Sequence, residues 1–155
     1  MSKFTKVAPI IPEENPLFQR LFGAEGFKIL REEGEDGVDA FLAAPGLKFA
    51  IFADDPNKQK ETMDIVVIGP ELAKVFPNLA EKRMSDVTTG RALAARWGIR
   101  KLPAVALFRG GVYLGAAEGL MGWSEYIEAL AEISRREAAP KRTIAIMAKP
   151  APAES

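Results

Sequence analysis

Histidine and cysteine, the residues that most often carry protons and electrons, are both absent from these 155 residues. Without histidine a Ser-His-Asp relay cannot be built. Without cysteine there is no disulfide, no thiolate metal site and no thiol nucleophile. Ser85 and Ser124 stand apart from any base and read as turn or cap residues. Asp54 and Asp55 adjoin at the end of an apolar run, and with Asp64 they have the chemistry to bind a hard cation. Lys58 and Lys60 compete for those carboxylates, so a solvated loop is the better account. Gly110, Gly111, Gly115 and Gly119 read as turn and close-packing residues, because no Gly-Lys-Ser/Thr follows to complete a phosphate cradle. No catalytic residue, metal or cofactor is expected.

The elements that must position these residues come from pattern. The length suits one domain with a real core. Apolar residues are 48% and charged residues 27% of the chain, an ordinary globular balance. Lys plus Arg and Asp plus Glu are 21 each, so no global field draws nucleic acid or membrane. No apolar run approaches the roughly 20 residues that span a bilayer. The segment Met1–Val7 lacks the apolar centre of a secretory signal, so a cytoplasmic protein is expected.

Residues 1–12 read as a loose arm, and 137–155 as a flexible tail rich in Ala and Pro. Between them lies one domain, carried to residue 136. Leu17, Phe18, Leu21 and Phe22 repeat at helical spacing from Pro16 to Phe22. Phe27–Leu30 alternates as a strand, and its edge is where a second copy of the chain would pair in a homodimer. An acidic loop follows, then a helix over Val38–Ala44. Leu47–Ala53 is a strand buried on both faces. A helix covers about Ile68–Phe76, with Pro70 near its start and a beginning as early as Asp64 left open. Glu81–Val87 is a strand, and Thr88 or Thr89 caps a helix running through Ala95. Ala104–Phe108 and Val112–Ala116 form a hairpin around Arg109-Gly110-Gly111. Trp123–Ile133 is amphipathic, with Tyr126, Ile127, Leu130 and Ile133 inward. Within the tail, Thr143–Met147 is an apolar patch that could order on a partner.

One stretch is more specific. Trp97-Gly98-Ile99-Arg100-Lys101-Leu102-Pro103-Ala104 leads into the hairpin, with Gly119 after it and the Trp123 helix closing. It resembles the thioredoxin segment in which a helix end passes through a cis-proline step into a strand. The resemblance implies an α/β fold, a thioredoxin-like three-layer sandwich whose central mixed β-sheet is flanked by helices. It implies losses too. Ala50 falls where thioredoxins keep a buried aspartate, and Thr62 and Ile65 fall where the two cysteines would lie. The intervening loop is longer by about five residues, Pro56–Lys60.

Further motifs narrow the family: Asp55-Pro56-Asn57-Lys58, then Gly69-Pro70-Glu71-Leu72-Ala73-Lys74-Val75-Phe76-Pro77, then Leu102-Pro103-Ala104. Together these are similar to the cysteine-poor hydrogenase accessory proteins of the HyaE/HupG/HoxO type, over roughly Pro16–Ile133. That resemblance implies a redox-inactive chaperone in [NiFe]-hydrogenase maturation. Its partners would be the small-subunit precursor, with its twin-arginine signal peptide, and other hydrogenase accessory proteins. An extended segment would pair with the backbone at Leu102, Pro103 and Ala104 by strand addition. Glu61, Thr62, Met63 and Asp64 would roof that groove. Glu32, Glu33, Glu35 and Asp36 either attract a basic peptide or form a solvated loop. Trp97 and Trp123 are packing residues or border the groove. Two other readings stand beside it. One is a glutathione-binding enzyme using Thr62 or Tyr113, and the other is a thioredoxin-like adaptor for another partner.

Overall fold

The computed structural model describes residues 8–31 and 34–140, the side chains of residues 34–36 excepted. Met1–Val7, Glu32, Glu33 and the apolar patch Thr143–Met147 lie outside the described residues.

After a 3-10 turn at Pro12–Glu14, helix α1 covers Pro16–Phe22. Asn15 caps it, its side chain accepting from the amides of Leu17 at 2.9 Å and Phe18 at 3.4 Å. Pro16 takes the first position, where no amide is needed. Strand β1 is only Lys28–Ile29. Phe27 and Leu30, which alternation assigned to that strand, are buried core residues. Two residues make a poor template for pairing with a second copy.

Helix α2 spans Gly34–Ala43, so Glu35 and Asp36 open a helix instead of lying in a loop. Strand β2 follows at Leu47–Phe52, then α3 at Glu61–Ala73, β3 at Leu79–Met84 and α4 at Gly90–Ala94. Strands β4 (Ala104–Arg109) and β5 (Val112–Glu118) form the hairpin, and α5 (Trp123–Ser134) closes the chain.

The sheet order is β1-β3-β2-β4-β5. Strand β2 pairs in parallel with β3 and antiparallel with β4, which makes the sheet mixed. Period-two alternation then sorts the core into two layers. Phe49, Ile51, Val105 and Leu107 pack with α1, α3 and α5. Ala50, Phe52, Ala104, Ala106 and Phe108 pack with α2 and α4. Phe41 meets Phe108 edge-on at 5.8 Å.

Three local expectations are corrected. Pro70 is the tenth residue of α3, not near its start, because the helix begins at Glu61. The amide that Val66 O would accept is therefore missing, three residues before the helix ends. Neither Thr88 nor Thr89 caps α4 by its side chain. Asp86 does the local work instead, its carboxylate accepting from the Thr88 amide at 2.6 Å and the Thr89 amide at 3.3 Å. Burial opposes ionisation of Asp86, but hydrogen bonds from the Thr88 hydroxyl and amide and from Thr89 outweigh it and hold its pKa below the usual value. Finally, the end of the arm is tied down. The Ile10 amide donates to Asn57 Oδ1 at 2.6 Å, and Asn57 Nδ2 donates to Ile10 O at 2.8 Å.

Lys48 is the unexpected occupant of β2. It is wholly buried on the α2 side, its ammonium donating to Leu42 O at 3.1 Å and to Ala44 O. Those carbonyls belong to the C-terminal end of α2, where helix acceptors lack internal partners and a cation is favoured.

Candidate functional site

The Leu102–Pro103 peptide bond is cis and leads directly into β4, whose first residue Ala104 pairs with Phe52. All three side chains are buried, Leu102 showing 6% of its surface. Because Leu, Pro and Ala carry no polar side-chain atoms, the hydrogen-bonding groups of the step are those of its backbone. Pro103 O accepts from the Gly119 amide at 2.9 Å. Glu118 Oε1 accepts from the amides of Arg100 at 2.8 Å and Lys101 at 3.0 Å. Leu102 O accepts from Gln59 Nε2 at 2.6 Å. Among the described residues the Leu102 amide donates to no group.

Gln59, just before the first turn of α3, joins that turn to this step. Glu61 and Asp64 are exposed, Met63 is half-buried, and Thr62 and Ile65 are buried. Residues 61–65 are thus a helical turn that presents only Glu61, Met63 and Asp64 outward. The Thr62 hydroxyl turns inward and donates to Asp54 O at 2.7 Å. Tyr126 donates its hydroxyl to Gly119 O at 3.1 Å, and its pKa is pushed up first by burial and further by the Asp64 charge.

Asp54 and Asp55 do not converge on an empty site. Asp54 Oδ2 meets Arg91 Nε at 3.1 Å, and its Oδ1 accepts from the Asp55 amide at 2.8 Å. Asp55 accepts from the Asn57 amide and side chain at 2.9 and 3.0 Å, which holds its pKa below the usual carboxylate value. Among the described residues no group of three or more Asp or Glu is arranged to hold a metal ion. The groups that bond to these carboxylates are Arg91 and Asn57, and the Lys58 charge adds a smaller attraction at Asp55.

The two tryptophans part company. Trp97 packs on Phe52 at 5.6 Å, Phe108 at 5.2 Å and Tyr113 at 6.4 Å. Trp123 is 50% exposed at the start of α5, beyond the exposed Leu120. Tyr113 pairs with Phe108 while Glu118 pairs with Ala104, so Tyr113 stands five residues along β5. That is about 17 Å at strand spacing. The hollows at the surface include one of about 520 Å³ beside Lys28, Phe76 and Lys82, and one of about 350 Å³ beside Trp97, Tyr113 and Arg136. Neither borders Leu102 or Pro103.

Sequence reasoning missed Gln59, Arg91 and Glu118. Each acts through a contact spanning 18 to 43 residues of chain. The extra length of the 56–60 loop was the one signal that something there was new.

A cis-proline step facing a helix N-terminus, on a five-stranded mixed sheet, defines a thioredoxin-like domain, here without thiols. Solved structures agree on the fold. A designed protein matches with a TM-score of 0.55 at 18% identity, covering 70% of this chain and 97% of that one. A thioredoxin mutant from Halobacterium salinarum matches with a TM-score of 0.52 at 19% identity, covering 70% and 93%. The family model described as hydrogenase-1 expression protein HyaE matches residues 17–126, and the chain belongs to that family. The hydrogenase expression/formation protein HoxO of Azotobacter vinelandii is 34% identical over 119 residues, 77% of this chain and 78% of that protein. The hydrogenase expression/formation protein HupG of Rhodobacter capsulatus is 28% identical over 120 residues, 77% and 86%.

Proposed function

We propose that this protein is a redox-inactive holding protein in [NiFe]-hydrogenase maturation. It binds an extended segment of the small-subunit precursor at the Leu102 backbone, in the cytoplasm before export. The observation that carries the reading is the Leu102 amide. It has no partner among the described residues, in a family of hydrogenase expression proteins and in a chain without a thiol. A docked strand supplies the carbonyl that this amide lacks. Glu61 and Asp64, exposed in the first turn of α3 that follows Gln59, supply carboxylates that suit a basic segment such as a twin-arginine signal peptide. Other hydrogenase accessory proteins would meet the complex through surfaces away from this step.

The glutathione reading has less support. The Thr62 hydroxyl is committed to Asp54 O, and Tyr113 stands at the far end of the hairpin. Calorimetric titration with the small-subunit precursor, with and without its signal peptide, tests the proposal. Tighter binding of the form carrying the signal peptide is expected. Equal binding of both forms removes the signal-peptide part, and binding of neither removes the function.

A further inference from the structure

Two carboxamides on the same loop behave differently. Asn57 pairs with one backbone residue through both ends, accepting from Ile10 N and donating to Ile10 O. That is the bonding an extended chain offers to a strand. Gln59 makes only half of such a pair. Its Nε2 donates to Leu102 O at 2.6 Å, while its Oε1 is buried with no partner among the described residues. Leu102 is left in the complementary state, its carbonyl used and its amide without an acceptor.

The Gln59 main chain is fixed at both ends. Its amide donates to Asp55 O at 2.8 Å, and its carbonyl accepts from Thr62 N at 3.1 Å. The side chain is thus held at the step by a turn, with its own torsions left to swing. A buried acceptor without a donor carries a desolvation cost. The contact therefore makes one hydrogen bond and leaves Gln59 Oε1 buried without a donor, beside a Leu102 N–H that has no acceptor among the described residues. An extended polypeptide laid along Leu102 would make both bonds, its N–H to Leu102 O and its C=O to Leu102 N–H. Gln59, released to water, would regain hydration at both ends.

We propose that Gln59 is a gate on the docking step: its carboxamide stands in for the backbone amide of the incoming polypeptide, and docking exchanges one for the other. This rests on the docking reading above and adds to it the residue that sets its affinity. The competent state is the one with Gln59 withdrawn, so the observed dissociation constant is the intrinsic one divided by that state's population. Only polypeptides that use both Leu102 groups recover the cost of displacement. A ligand that accepts from the amide alone leaves the gate shut.

The test uses the full chain and the small-subunit precursor. Gln59→Met keeps the length of the side chain and removes its donor, and Gln59→Asn retracts the donor by one carbon. Both variants should bind the precursor about three- to ten-fold more tightly than the parent, the range one competing hydrogen bond allows. In the free protein the Leu102 carbonyl-carbon resonance should move toward its unbonded position in both. Thermal unfolding of each variant identifies one that fails to fold, and the other then carries the comparison. If the Leu102 resonances respond to the precursor but neither variant binds more tightly, the gate is overturned and the docking step stands. If the precursor binds while the Leu102 resonances stay still, or does not bind at all, the docking step and the gate fall together.

Discussion

Lys48 reaches back six residues to hold Leu42 O at 3.1 Å, from a position with no solvent exposure. The strand thus terminates the helix that precedes it. Burial pushes the Lys48 pKa below its ordinary 10.5, opposed in part by the charge of Glu81. Between the lowered folded value and 10.5, the unfolded chain binds the extra proton, so this group makes stability rise with pH there. Denaturant titrations at several alkaline pH values should show that rise in the parent and not in Lys48→Met. At neutral pH, Lys48→Ala should cost about 2 kcal/mol, since it leaves a void and two helix-end carbonyls without a donor.

Tyr126 gives the opposite sign. Its pKa is pushed above 10 by burial and by Asp64, so above pH 10 the unfolded chain loses its proton first. Stability carried by this group is present below pH 10 and is lost as pH rises through the folded value. Tyr126→Phe should flatten that alkaline loss. The same substitution should cost about 1 kcal/mol at neutral pH, because Gly119 O loses its donor.

Gly90 marks where α4 meets the end of β2. A Cβ there would lie 1.8 Å from Ala53 O, a backbone atom that cannot move aside alone. Gly90→Ala should destabilise by about 3 kcal/mol, the upper range for overpacking, despite alanine's better helix propensity. Urea unfolding at neutral pH measures it.

The two tryptophans should separate in the same measurement. Trp97→Ala removes contacts to three aromatic rings and should cost about 3 kcal/mol. Trp123→Ala removes a half-exposed side chain and should stay within about 1 kcal/mol. Intrinsic fluorescence in each single-tryptophan variant checks the assignment, with Trp97 giving the bluer emission.

Strands β2 and β4 were readable because an apolar run is a local property, whereas β1 shrank to Lys28–Ile29 and β3 lies at Leu79–Met84, not Glu81–Val87. Phe49, Ile51 and their neighbours in β2, and the apolar run of β4, show their buried character without knowledge of their partners. The Leu-Pro-Ala step could be placed because its neighbours in sequence are its neighbours in space. Helix bounds were less legible. Pro70 suggested a helix start near Ile68, with Asp64 left open, yet the helix begins at Glu61 and packs on β2.

Residue types alone determined that neither thiol nor imidazole chemistry occurs here, because a missing functional group cannot be supplied by folding. They also determined the layered fold, through periodicities of two and near four. Which backbone groups stay unpaired at Leu102 was decided only in three dimensions. That outcome depends on Gln59 arriving from 43 residues away, and a hydrogen bond follows distance in space and not in sequence.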